Sequence, residues 1–127
     1  MSNELILIVD DNTMNIFALK TIIEKCGFMC DVAYNGKEAV DLQRVKAYEL
    51  ILMDINMPFM DGSEATKILA KMFKERKEIA APIVAVTATN FNSEEDTSNL
   101  LAIGFADIIQ KPVRKQDFLR KISYCFV

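Results

Sequence analysis

Leu50-Ile51-Leu52-Met53-Asp54-Ile55-Asn56-Met57-Pro58 is the stretch that decides the fold: an apolar run that stops abruptly on one carboxylate. A run of this length bounded by polar turn residues reads as a strand buried on both faces, which puts Asp54 where the strand leaves the core and meets water. An acid at a strand exit is by itself an ordinary surface feature. Its meaning depends on what other strand exits carry.

Working outward, Leu5 to Val9 is a second continuous apolar run, closed by Asp10-Asp11-Asn12. Leu19, Ile22, Ile23 and Cys26 then recur at helical spacing, and Gly27 can end that helix in the left-handed conformation. Residues 28–33 alternate partly, as a strand does, before the Asn35-Gly36 turn. A weaker helical stripe, Ala39, Leu42 and Val45, spans residues 37–46. Beyond the central strand, Pro58 and Asp61-Gly62 exclude a helix interior. Ser63 or Glu64 opens a helix with Ala65, Ile68, Leu69, Met72 and Phe73 on one stripe, and its charged run, residues 74–78, is a solvated end.

Pro82 introduces a fourth strand, residues 83–86, which leaves at Thr87-Ala88-Thr89. Ser93 to Asp96 has capping-box spacing, with a short helix through Leu100 and Leu101 ending at Gly104. Asp107 to Gln110 is a fifth strand leaving at Lys111-Pro112, and a last helix carries Phe118, Leu119, Ile122 and Phe126.

Composition narrows the chemistry. The 127 residues suit one domain, residues 1–127, and a hydrophobic fraction of 51% can build a core without disulfides or a structural metal. A net charge of −3 supplies no basic patch for nucleic acid. No apolar run approaches the roughly 18 residues of a membrane span, and the first four residues are not a signal-peptide start. Cys26, Cys30 and Cys125 form no CxxC pair, which fits neither a disulfide framework nor a zinc site and suits a reducing cytoplasm. The chain has no histidine, which removes Ser-His-Asp and Cys-His nucleophiles and histidine metal ligands. Carboxylates, hydroxyls and lysines must carry any chemistry.

Five short strands alternating with helices imply a doubly wound α/β sheet built from right-handed β-α-β units. Such sheets bind ligands at the carboxyl ends of their strands. Those ends carry Asp10 and Asp11, Asp54, Thr87 and Lys111. If the strand order is 2-1-3-4-5, the first and third strands are neighbours about 4.8 Å apart and their acids converge. Three ionised carboxylates so close repel unless a cation is present. Oxygen ligands without His or Cys point to magnesium, which keeps several waters and accepts a phosphate oxygen. A lysine ammonium and a threonine hydroxyl suit the far side of that phosphate, and Asp54 is the acid best placed to become an aspartyl phosphate.

Leu7-Ile8-Val9-Asp10-Asp11-Asn12, Leu52-Met53-Asp54-Ile55-Asn56-Met57-Pro58 with Met60-Asp61-Gly62, Val86-Thr87-Ala88 and Gln110-Lys111-Pro112 resemble, in order, the motifs of the receiver domain of two-component response regulators. The resemblance implies a flavodoxin-like fold with strand order 2-1-3-4-5. It implies that Asp54 accepts a phosphoryl group from a histidine kinase or histidine phosphotransfer domain. It further implies that Asp11, Asp54 and the backbone carbonyl of Asn56 ligate Mg2+ while Asp10 acts through water. Lys111 would contact the phosphoryl group, Thr87 would move to bond it and bias the face of the fourth helix, fifth strand and fifth helix, and the bond before Pro112 would be cis. Asn15 and the stretch from Met57 through Glu64-Ala65-Thr66 look most like receivers of hybrid sensor kinases. Ile108 departs from the pattern, since an aromatic commonly stands three residues before the lysine.

Three other readings share some of these features. A haloacid dehalogenase-type phosphohydrolase wants a second acid two residues after the nucleophile, where this chain has Asn56. A flavodoxin-like FMN carrier would find its phosphate repelled by Asp10-Asp11. A silent interaction module would keep the fold without phosphorylation, although every side chain for that chemistry is present. The chain stops at its fifth helix, leaving no room for an output domain, so it would act through protein contacts or be a piece of a larger protein.

Overall fold

The computed structural model describes residues 5–55, 62–76, 81–87, 94–111 and 113–122. Ten elements alternate: β1 (Leu5–Val9), α1 (Thr13–Lys25), β2 (Met29–Ala33), α2 (Gly36–Val45), β3 (Leu50–Asp54), α3 (Gly62–Arg76), β4 (Ile83–Thr87), α4 (Glu94–Ile103), β5 (Asp107–Gln110) and α5 (Lys115–Ile122). All neighbouring strands pair in parallel, in the order β2-β1-β3-β4-β5. This is the flavodoxin-like arrangement expected above. Pro58, Ser93, Pro112 and Phe126, the sites of an expected turn, cap, cis bond and final helical contact, lie outside the described residues.

The sheet divides the core in two, because successive strand side chains point to opposite faces. Ile6, Ile8, Leu50, Leu52, Val84, Val86 and Ile109 pack with Ile16, Leu19 and Ile23 of α1 and Phe118 of α5. Leu7, Val9, Ile51, Met53, Ile83 and Ala85 pack on the other face with residues of α2, α3 and α4. Buried on both faces, β1, β3 and β4 read as unbroken apolar runs for this reason. Among the described residues, no helix is long and apolar enough to cross a membrane.

Two expectations need correction. In α2 the buried stripe is Gly36, Ala39, Val40 and Gln43, while Val45 is 77% exposed. The face is rotated from the one apolarity suggests, because a polar residue, Gln43, occupies the inward i+7 position. α3 begins at Gly62 rather than at Ser63 or Glu64, since the Gly62 N–H donates to Ile55 O at 2.8 Å and draws the glycine into the first turn. Gly27 and Gly104 do follow α1 and α4 with positive φ, 92° and 133°. Cys26 and Cys30 are free thiols, and burial, with Glu24 adding to it, pushes Cys30 up to about 11, so it stays protonated and unreactive at neutral pH.

The edge strand β2 is tied to the α2–β3 connection by Asp31, whose Oδ2 accepts from Lys46 Nζ at 2.9 Å and from the Tyr48 hydroxyl at 2.8 Å. The bond from Lys46, with help from Tyr48, holds the Asp31 carboxyl below the usual carboxylate range despite partial burial. Because the folded value is depressed, this contribution to stability is complete above the unfolded value of about 3.9 and is lost as pH falls through the folded one. Asp31→Asn should therefore be less stable than wild type near neutrality, and the two should converge in acid. Urea unfolding followed by circular dichroism across that pH range measures this, and parallel curves would refute it.

Candidate functional site

The site follows from strand register. Val9 pairs with Met53, so Asp10 and Asp54, each one residue further on, leave adjacent strands at the same level. Both belong by alternation to the face of Ile8 and Leu52, on the side of α1 and α5. Ile109 lies on that same face, and two residues beyond it Lys111 returns to it. Lys111 Nζ reaches Asp10 Oδ2 at 3.3 Å and Asp54 Oδ2 at 3.6 Å. Asp10 and Asp54 are 1% and 8% exposed, whereas Asp11 faces solvent.

One oxygen from each of Asp10, Asp11 and Asp54 falls within 4.8 Å of the other two. Unit charges about 4 Å apart at an effective dielectric constant near 20 interact by about 4 kcal/mol gross. Three repulsive acid pairs therefore stand against two attractive pairs to Lys111. The lysine offsets only part of the repulsion, and the desolvation of two buried carboxylates comes on top of what is left. Formally, three carboxylates and one ammonium leave two negative charges, which matches a divalent cation. Asp10 Oδ2 also has no hydrogen-bond donor among the described residues, because the Lys111 ammonium approaches it without hydrogen-bond geometry. A hard cation with oxygen ligands fits this donor set.

Thr87 joins the site differently. Its carbonyl accepts from the Lys111 N–H at 2.8 Å, and by strand alternation its position falls on the face of Ala85, opposite that of Leu52 and Asp54. Ile108, paired with Ala85, packs on this same far face. Asn56, expected to offer its carbonyl, lies outside the described residues.

Asn12 has no separate role in the sequence reading, yet in the structure it does two jobs. Its N–H donates to Asp10 Oδ1 at 2.9 Å, and its own Oδ1 caps α1 by accepting from the Met14 and Asn15 N–H groups at 2.9 and 3.0 Å. An Asn immediately before a helical stripe is the signal that could have found it. Asn15, Ala18 and Leu19 of α1 line a cavity of about 80 Å³ together with Val86, Lys111 and Val113. Met14 and Phe17, on the adjoining helical positions, are 81% and 73% exposed.

A partly buried cluster of acids with a lysine, at the carboxyl edge of a 2-1-3-4-5 sheet, is the arrangement of a receiver domain. The family model of the response regulator receiver domain matches residues 6–123, and the chain belongs to that family. The family is one of signalling phosphoacceptors in two-component phosphorelays, not of dedicated enzymes, which sets aside the phosphohydrolase and flavin-carrier readings. The chain is 38% identical over 124 residues to hybrid signal transduction histidine kinase B of Dictyostelium discoideum, covering 91% of this chain and 6% of that protein. It is 33% identical over 117 residues to the sensor protein GacS of Pseudomonas syringae pv. syringae, covering 92% and 13% respectively. The chain thus spans a small part of these relatives, the first of which is a hybrid kinase, the class that the sequence resemblance points to.

Among solved structures it resembles the receiver domain of the Saccharomyces cerevisiae response regulator Ssk1, co-crystallised with the histidine phosphotransfer protein Ypd1. The TM-score is 0.86 at 32% identity, over 97% of this chain and 88% of that one. The receiver domain of a Pseudomonas aeruginosa sensor histidine kinase, solved with magnesium coordinated in its active site cleft, gives a TM-score of 0.81 at 27% identity over 98% of both chains.

Replacing Asn12 removes a helix cap and the N–H donor's fixed position together. Asn12→Ala should cost about 1 kcal/mol of stability, read from the urea midpoint at unchanged slope. A loss below a few tenths would show that the cap is not formed in solution.

Proposed function

We propose that Asp54 is the phosphoacceptor of this receiver and that residues 1–127 act as one unit. The convergence of Asp10, Asp11 and Asp54 beside Lys111 is the observation that carries this reading. In the step, an Asp54 carboxylate oxygen attacks the phosphorus of a phosphohistidine on a histidine kinase or histidine phosphotransfer domain. The new O–P bond forms an acyl phosphate as the P–N bond breaks, and the electron pair leaves on the imidazole nitrogen. Lys111 moves its ammonium from the Asp54 carboxylate toward the phosphoryl oxygens, where negative charge accumulates. The Thr87 hydroxyl reaches a phosphoryl oxygen only by crossing from its resting face.

Asp11, Asp54 and the Asn56 carbonyl would hold Mg2+, with Asp10 acting through water, and the ion would neutralise phosphoryl charge during transfer. Asp10, whose Oδ1 accepts from the Asn12 N–H, would stand beside that ion as an outer partner. The same residues serve self-phosphorylation from small phosphodonors and later hydrolysis of the acyl phosphate. The domain works in the cytoplasm and through protein contacts, without touching nucleic acid or membrane.

Incubation with acetyl phosphate and Mg2+ should give an acid-stable, base-labile adduct on Asp54, absent with EDTA and absent in Asp54→Asn. Equal labelling of Asp54→Asn would remove the assignment.

The exposed stripe of Met14, Phe17 and Ala18 borders the cavity that Lys111 lines, so a histidine-bearing partner meets an apolar surface there. Phe17→Glu should slow transfer from a phosphorylated phosphotransfer protein about tenfold or more while leaving labelling by acetyl phosphate unchanged. Equal slowing with both donors would place the effect in the site instead of on the docking surface.

A further inference from the structure

Gly62 opens α3 against the peptide that carries Asp54. A Cβ added to Gly62 would fall on the Asp54 carbonyl oxygen, and it would lie 2.8 Å from Ile55 Cα and 3.0 Å from the Asp54 carbonyl carbon. These neighbours are all backbone, so no flexible side chain can swing away to make room. The Gly62 N–H also donates to Ile55 O at 2.8 Å, which pins α3 to the residue immediately after Asp54. The two described glycines with positive φ differ from Gly62. Gly27, at φ 92°, has nothing within 4 Å of the place a Cβ would take, and Gly104, at φ 133°, meets only the side chains of Thr66 and Ala70 at 3.4 and 3.5 Å.

We infer that Gly62 is a positioning residue for the acidic site. Lacking a side chain, it lets the N-terminus of α3 rest on the Asp54–Ile55 peptide, and that contact sets the direction in which the Asp54 carboxylate leaves β3. The inference deepens the reading of Asp54 as a metal ligand and phosphoacceptor and rests on it. Any methyl group at position 62 must displace the Asp54 carbonyl or lift α3 from it. In either case the Asp54 carboxylate moves relative to Asp10, Asp11 and Lys111, which are fixed by other elements. Displacing a ligand through its support typically costs 10–100-fold in metal affinity.

The test compares Gly62→Ala with Gly27→Ala, which imposes backbone strain at a remote position with no steric contact. In metal-free protein, the Asp54 carboxyl 13C and Ile55 amide resonances should move in Gly62→Ala and stay in place in Gly27→Ala. The Mg2+ dissociation constant, by calorimetric titration, should rise about tenfold or more in Gly62→Ala and stay within about twofold of wild type in Gly27→Ala. Unchanged Asp54 resonances and affinity in folded Gly62→Ala would overturn the inference, as would an equal loss in Gly27→Ala. A wild-type protein that binds no Mg2+ would sink the metal reading instead, leaving the metal-free resonances to decide the role of Gly62. Should Gly62→Ala fail to fold, the wild type carries the test: with Mg2+ the Gly62 amide must gain hydrogen-exchange protection and the Gly27 amide must not. An unchanged Gly62 amide overturns the inference.

Discussion

Mutual repulsion among three carboxylates is the constraint on which the rest of this structure depends. The pairing of Val9 with Met53 delivers Asp10 and Asp54 to one point, and Asp11 follows directly in the chain. Left free, such acids would separate into water. They stay because the strands beneath them are fully engaged on both faces, each buried aliphatic side chain contributing about 1.5–3 kcal/mol of transfer free energy. The sheet is over-determined and can hold an unfavourable edge. Lys111, reached by way of the β4–β5 pairing, offsets part of the cost.

Local backbone contacts then aim the acids. Asn12 binds Asp10 on one side and starts α1 on the other, so the helix and the carboxylate cannot be oriented independently. Gly62 has the corresponding place on β3, where α3 starts against the peptide of Asp54. In each case a helix N-terminus is built around a strand-exit acid. The α1 and α3 dipoles therefore favour negative charge near the cluster as well.

Much of this is legible in the residues. Parallel strands buried on both faces must be apolar throughout, and so β1, β3 and β4 and the polar residues that close them stand out together. The same property hides the facing of each position: Ile83-Val84-Ala85-Val86-Thr87 has no apolar-polar alternation to show that Ala85 and Val86 pack on opposite faces. The α2 stripe misleads because Gln43 is buried against expectation while Val45 is exposed, and apolarity alone ranks them the other way. Asp61-Gly62 is recognisable as a turn, but the closeness of Gly62 to the Asp54 carbonyl is a tertiary fact with no local signature.

The sheet is a partition, and its two sides hold different residues of one site. Asp10, Asp54 and Lys111 belong to the compartment of α1 and α5, while Ile108 belongs to that of α2, α3 and α4 and the alternation of β4 assigns the Thr87 position to the same side. In the proposed reading, a charge placed on the first side would reach the second most directly where a strand ends, and Thr87, the last residue of β4, would stand at that crossing. Ile108, its neighbour on that face, is β-branched, stiff at χ1 and packed into the far core, with no large ring to turn. On that reading, drawing Thr87 over the rim would vacate space that Ile108 would not fill by turning a side chain.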